Sequence, residues 1–288
     1  MRLRVLGTAA GGGVPQWNCA CPGCAGARAH PSWRRRHASL AVRTPDGRCH
    51  VVNATPDIGD QIEASEWLVP GPGLRDTPLA GIILTDAELD HTLGIARLRE
   101  ADQVEIVATP AVRHALTERL RLEEVLSPYT DLVWKDLGQP VALGESLRVS
   151  AVPVSGKRPR YAPEGGPEDG WVSALRLSDG ATVVYAPAVG TFPPALEKAL
   201  AEADCVIIDG TFWDDEEPRR TGISSKTATQ MGHVPIEVTA PMLAGLPGRC
   251  FYTHLNNTNP LLDPDAPQHR LLAGYGVEVA ADGMVIEL

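Results

Sequence analysis

Short apolar runs and helical patterns alternate along the whole chain, and this interleaving limits the fold more than any other feature of the sequence. Runs with β character recur at Leu3–Leu6, Leu40–Arg43, His50–Asn53, Gly81–Leu84, Val104–Val107, Leu147–Val154, Thr182–Tyr185, Cys205–Ile208, Cys250–Tyr252 and Val277–Val279, bounded by Gly, Pro, Asp and Asn. Between them Ile58–Leu68, His91–Glu100, Pro110–Leu120, Pro194–Ala203 and Pro235–Leu243 carry apolar residues near the 3.6 period. Several open on proline, a favoured first helical residue. The pattern predicts an α/β chain. No Gly/Ser-rich linker and no repeat divides it, so a single domain is expected over residues 1–288.

With 43% apolar and 22% charged residues, the chain has material for a substantial core. Its 26 Lys+Arg against 36 Asp+Glu leave a net charge of −10, which disfavours a phosphate-backbone footprint and hence a nucleic-acid partner. No apolar run reaches the roughly 20 residues of a membrane span. The opening Met1–Gly7 breaks too early for a secretory apolar region, so a cytoplasmic protein is expected. Three of the six cysteines, Cys19, Cys21 and Cys24, form a C-x-C-x-x-C cluster. In a reducing compartment that spacing points to metal thiolates, against the alternative of unligated thiols. Cys49, Cys205 and Cys250 lie in apolar stretches and read as buried small residues.

The most informative segment runs from Ile82 to Gly94, where an apolar strand enters an acidic turn and then a helix. It places Asp86, Glu88, Asp90 and His91 at a strand's carboxyl end, where α/β sites are usually built. Either these groups converge on a divalent ion, or the carboxylates simply favour the helix start. His254 ends another strand, His233 precedes a helix, and Asp209 ends the run Val206–Ile208. Each is open to a structural or a ligating reading. His30, His37, His50, His114 and His269 sit among polar neighbours and read as surface or packing residues. Gly156–Gly170 and the charged Asp214–Lys226 read as surface loops, functional or merely solvated.

Gly7–Gly13 with Val14-Pro15-Gln16-Trp17-Asn18-Cys19, then Asn53-Ala54-Thr55-Pro56-Asp57, Asp90-His91, Tyr185-Ala186-Pro187, Asp209-Gly210-Thr211, Met231-Gly232-His233 and His254–Pro260 occur in an order that resembles the pyrroloquinoline quinone (PQQ) biosynthesis protein B family. The resemblance covers nearly the whole chain. It implies a metallo-β-lactamase-like αββα sandwich, with a Cys-rich zinc-binding loop at about residues 16–26.

Against the two-metal H-x-H-x-D-H turn of that superfamily, this chain reads Asp86-x-Glu88-x-Asp90-His91, so both first-site histidines are gone. The next superfamily histidine is missing near Val154-Ser155, and the bridging aspartate falls on Ala186-Pro187. What remains is Asp90, His91 and His254, with Asp209 as a candidate fourth ligand. Two imidazoles and one carboxylate with open positions are typical of non-haem Fe(II) oxygenases. The resemblance therefore implies a mononuclear Fe(II) site that uses O2 to hydroxylate the tyrosine ring of the cross-linked Glu-Tyr precursor of PQQ. His233 would serve as acid–base residue, and Asp86 and Glu88 as supporting or base carboxylates.

Cys19, Cys21 and Cys24 resemble the structural zinc cluster of a related phosphodiesterase, whose fourth ligand falls here on Asn257. Asn257, a remote residue such as His269, or solvent completes it. Arg219, Arg220 and Lys226 are natural places to look for contacts to substrate carboxylates. Alternative readings are a phosphodiesterase-like metal hydrolase and a non-catalytic carrier of PQQ or its precursor. Other proteins of the pathway, or a second copy of the chain, are the expected macromolecular partners.

Overall fold

The computed structural model describes every residue, Met1–Leu288. Its strands are β1 (Arg2–Gly7), β2 (Ser39–Arg43), β3 (Cys49–Val52), β4 (Leu79–Ile83), β5 (Gln103–Ala108), β6 (Asp131–Asp136), β7 (Val141–Leu143), β8 (Leu147–Ser155), β9 (Val172–Asp179), β10 (Ala181–Ala186), β11 (Cys205–Asp209), β12 (Arg249–Thr253), β13 (Val277–Val279) and β14 (Val285–Glu287). They form two seven-stranded sheets, ordered β14-β1-β2-β3-β4-β5-β6 and β13-β12-β11-β10-β9-β8-β7. Each sheet is part antiparallel and part parallel. In the first, β3 to β6 are parallel; in the second, β10 to β13 are.

Burial explains why the parallel strands read as unbroken apolar runs: both of their faces are covered. On β4, Ile82 enters a cluster with Ile58, Leu68, Ile95 and Leu116 on the outer, helical side. Ile83 enters the cluster between the sheets with Leu175, Tyr185, Ile207 and Phe251. On β11, Val206 and Ile208 pack outward against Leu196, Leu200 and Ile236, while Cys205 and Ile207 point between the sheets. The result is a helix–sheet–sheet–helix sandwich, and each fully buried aliphatic or aromatic side chain contributes about 1.5–3 kcal/mol to it. Cys49, Cys205 and Cys250 are all buried free thiols within these clusters.

Several expected helices are shorter or divided. The Ile58–Leu68 pattern yields a helix only over Ile58–Glu63. His91–Glu100 becomes one turn, Leu89–Thr92, followed by a 3-10 segment, Leu93–Leu98. Pro110–Leu120 is α-helical to His114 and then widens into a π-helical turn, Ala115–Arg119. The charged Asp214–Lys226 loop contains a helical turn, Glu217–Arg220. It is not wholly a solvated run, because Glu217 is buried and accepts hydrogen bonds from the Trp213 N–H (2.7 Å) and the Thr258 hydroxyl (2.6 Å). Burial lifts that carboxyl to about 7.

The parallel strands of both sheets end at the same edge of the sandwich. Isolated bridges from Ala9 to His37 and Leu255, and from Asp86 to Val172, stitch the loops there. No helix of the structure is long and apolar enough to cross a membrane.

Candidate metal centre

Strand β12 delivers His254, whose φ of +60° puts it in the left-handed region. A non-glycine residue held there carries a strain of order 1–3 kcal/mol. The turn holds the His254 ring between Thr211, on the loop after β11, and Asp90, on the turn after β4. Asn53, after β3, is also left-handed (φ +65°), and its Oδ1 accepts the Thr85 N–H at 3.1 Å, which fixes the start of the Asp86–His91 turn.

Asp90, His91 and His254 present donor atoms within 4.8 Å of one another. Asp90 Oδ2 lies 3.7 Å from His91 Nε2 and 3.4 Å from His254 Nε2. Both Nε2 atoms are buried without a hydrogen-bond partner. Orphaned polar atoms in a native interior need a reason.

The opposite nitrogens of the same rings are fully engaged. His91 Nδ1 stands 2.7 Å from Asp86 Oδ2, which also accepts the Thr85 hydroxyl at 2.7 Å. Thr211 Oγ1 donates to Asp209 Oδ1 at 2.6 Å, so the His254 Nδ1 at 2.8 Å must be the donor in its contact with that hydroxyl. His233 Nδ1 donates to Asp209 Oδ2 at 2.7 Å. Each of the three imidazoles thus uses Nδ1 as a donor, so that in its neutral form the lone pair sits on Nε2. This is the arrangement that readies histidines as metal ligands or bases.

The charges reinforce one another. Burial alone lowers His91, but Asp86 and Asp90 outweigh it and hold the metal-free imidazole at about 9. The two carboxylates are opposed by burial yet held below their usual range, chiefly by His91. His254 is pushed down by burial, which favours its neutral form. Two buried, unpartnered imidazole nitrogens facing one carboxylate oxygen fit a divalent cation better than they fit any hydrogen-bond scheme within the chain.

Asp209, expected as a fourth ligand, is occupied by protein donors. Oδ1 accepts from the Thr211 N–H and hydroxyl, and Oδ2 from the Val189 N–H and His233. It forms a second donor group with His233 and His254 rather than joining Asp90 and His91. His233 stacks on His254 at 5.7 Å between ring centroids, which places it beside the first group. Glu88 reaches Lys157 at 3.6 Å, and burial raises its carboxyl.

Sequence reasoning overlooked Thr85 and Thr211, because hydroxyls that only orient other side chains carry no motif. It also set His37 aside. In the structure His37 Nδ1 binds Asp57 Oδ2 at 2.7 Å, and its Nε2 faces Gly11 O at 3.3 Å. The Asp57 carboxylate raises the His37 imidazole against the effect of burial.

Some 238 positions apart in sequence, Asn257 and Cys19 meet: Asn257 Nδ2 lies 3.1 Å from Cys19 Sγ and 3.4 Å from the sulfurs of both Cys21 and Cys24. Cys21 Sγ also lies 3.0 Å from the Asn257 carbonyl oxygen. Burial lifts the Cys21 thiol to about 11, whereas hydrogen bonds from Cys21, Cys24 and Asn257 lower Cys19 despite burial. His269 is elsewhere, with Nε2 at 3.1 Å from Asp263 O.

The model of a Beta-lactamase superfamily domain matches residues 48–255. Coenzyme PQQ synthesis protein B of Azoarcus sp. (strain BH72) is 40% identical over 304 aligned positions, covering the whole of both chains. The chain belongs to the coenzyme PQQ synthesis protein B family. A crystal structure of Zn(2+)-bound PqqB from Methylobacterium extorquens superposes on the whole chain with a TM-score of 0.91 at 32% identity. A diphosphatase from the PhnP family, at a TM-score of 0.73 and 19% identity, shares the fold.

In this member of the PQQ synthesis protein B family, the metallo-β-lactamase fold is present and its first-site positions are changed. Asp86 serves His91, Glu88 faces Lys157, and Pro187 offers no side-chain donor. Arg219 and Arg220 are engaged inside their own loop, Arg219 with Glu216 and Arg220 with both oxygens of Asp214.

Proposed function

We propose that this chain is an Fe(II)- and O2-dependent hydroxylase that acts in the cytoplasm on the tyrosine ring of the cross-linked Glu-Tyr precursor of PQQ. One observation carries the reading: the donor set is two imidazoles and one carboxylate, Asp90, His91 and His254, while the adjoining Asp209–His233–His254 group spends both Asp209 oxygens and the His233 Nδ1 on hydrogen bonds within the chain. Three protein ligands leave coordination positions for O2 and substrate, whereas hydrolysis in this fold resembles two-metal chemistry.

Ferrous iron, when bound, supplies the activation of O2 that ring hydroxylation needs. Asp86 and Thr211 keep the ligand rings turned with Nε2 inward. His233, oriented by Asp209 through its Nδ1 and stacked on His254, takes the proton lost from the tyrosine ring or hydroxyl. Glu88, paired with Lys157 and with its carboxyl raised by burial, is the second proton acceptor.

Cys19, Cys21, Cys24 and Asn257 are proposed as a structural zinc site. An amide's oxygen and nitrogen are interchangeable by a half rotation, which puts Asn257 Oδ1 where its Nδ2 now faces three sulfurs. Zinc there ties the N-terminal loop to the segment just after His254.

The test is anaerobic loading with Fe(II), addition of the cross-linked diamino acid, then exposure to isotopically labelled O2. Label in the ring supports the hydroxylase. Ester cleavage without label would assign the chain to the hydrolases, and tight binding without turnover to the carriers.

A further inference from the structure

A cavity of about 700 Å³ lies beside the metal centre without including any of its ligands. Its lining carries Arg34, Arg35, Arg36, His37 and Trp17. Three aspartates also line it, and the local pairings decide the balance. Asp57 is taken by His37. Asp282 accepts the Thr8 hydroxyl at 2.7 Å and the Arg36 N–H at 2.7 Å, and its charge faces the mostly buried Arg35, whose guanidinium donates to Thr8 and to the Ala280 carbonyl. Asp57 and Asp282 also feel the Arg36 charge at longer range, so the lining sets Arg34, Arg35, Arg36 and His37 against Asp57, Asp60 and Asp282. Arg36 is half-buried yet makes neither an ion pair nor a side-chain hydrogen bond, and Arg34 spends only its Nε, on the Ala27 carbonyl at 3.2 Å.

The backbone presenting Arg36 is clamped on both flanks. Its carbonyl accepts the N–H groups of Thr8 and Ala9, its own N–H is held by Asp282, and the next N–H, of His37, by Asp57 Oδ2 at 2.9 Å. An arginine whose backbone is fixed, which is half-buried and whose guanidinium is left without a close partner on a cavity lining can meet a carboxylate through its paired N–H groups. On the same lining, the Trp17 indole is 87% exposed, an unusual position for so large an apolar surface. Cation and exposed indole together suit a planar aromatic ring bearing carboxylates.

Gly11 adjoins both this cavity and the metal centre. Its carbonyl faces His37, and a Cβ on it would lie 3.4 Å from the Asp90 carboxylate. Gly13, at φ +68°, leaves the His37 ring its space.

We propose that the Arg34–Arg36–Trp17 cavity is a binding site for an aromatic polycarboxylate, and that it holds the carboxylate-bearing end of the metal centre's substrate. The second half of this statement rests on the hydroxylase reading above; the first does not.

Benzene-1,3,5-tricarboxylate, whose meta carboxylates chelate metals poorly, is the probe, titrated calorimetrically into the purified full chain. Arg36→Gln is expected to weaken binding at least about tenfold, the scale of one lost charge-assisted contact, and Arg34→Gln to weaken it in the same direction. Trp17→Ala should remove the preference over cyclohexane-1,3,5-tricarboxylate, while His254→Ala should leave the probe's affinity in place. Equal affinity in both arginine variants, or loss of binding in the His254 variant, overturns the site. Weakened binding in Arg36→Gln alongside an iron-loaded protein that inserts no oxygen would keep the cavity and remove the hydroxylase. Unchanged probe binding with oxygen insertion would do the reverse.

Discussion

Asp86 Oδ2 lies 2.7 Å from His91 Nδ1, and that contact decides which nitrogen of the imidazole looks at Asp90. A carboxylate at a position where the superfamily keeps a metal-binding histidine here orients the neighbouring His91 ring. Asp86→Ala removes the aim and is expected to lower metal affinity at the Asp90–His91–His254 set by about 10–100-fold. Asp86→Asn, which keeps an acceptor oxygen, should lose less. Competition against a chromophoric chelator measures both, and wild-type affinity in the alanine variant would refute the assignment.

Because Asp86 and Asp90 hold metal-free His91 at about 9, binding at neutral pH must displace a proton from it. Asp90 is already ionised there, since its carboxyl is depressed, and His254 is already neutral. Apparent affinity should therefore rise with pH by about tenfold per unit from 6 to 8 and level off above about 9. A pH-independent affinity over that interval contradicts the charge arrangement. The Asp86→Ala variant should show a shallower slope.

The cysteine site makes a separate prediction. Cys24→Ser is expected to remove about one equivalent of zinc and to cost roughly 2–5 kcal/mol of stability, comparable to losing a native cross-link. Asn257→Leu should act in the same direction, whereas Asp90→Asn should leave this zinc in place. Elemental analysis combined with denaturant unfolding checks all three. Full zinc in Cys24→Ser rules the site out.

Gly94 follows His91 by three residues and lets the backbone close against the loop after β3. Its N–H donates to Ala54 O at 2.9 Å, and an added Cβ would fall 2.0 Å from the Thr55 carbonyl. Gly94→Ala should destabilise the protein by about 1–3 kcal/mol through overpacking. A lower denaturation midpoint at constant m-value is the expected readout, and an unchanged midpoint would show that the turn can shift without cost.

Much of the sandwich was legible beforehand because parallel strands covered on both faces must be apolar throughout, as Val206–Ile208 and Gly81–Leu84 are. Leu3–Leu6, Leu40–Arg43, Leu147–Val154 and the edge strand Val277–Val279 were also legible, but four other strands were not. Asp131–Asp136 has no buried position and is bounded by charge, Val172–Asp179 is interrupted by Ser and Arg, and Val141–Leu143 and Val285–Glu287 are too short to carry a period. Helix lengths were overestimated where apolar spacing continued past a turn that tertiary contacts reshaped, as at Leu93–Leu98.

By itself the sequence determined which residue types were available for the centre: Asp90, His91 and His254 at strand ends, three clustered cysteines, and carboxylates where histidines would have served a second metal. Only the tertiary structure decided their roles. It turned Asp209 onto His233, put Thr211 between His254 and Asp209, carried Asn257 to the cysteines, and set an unpaired Arg36 in a cavity beside Gly11. The physical reason is that a side chain's chemistry is local, whereas its hydrogen-bond partners and burial come from segments far away in the chain, brought together by two sheets that end at one edge.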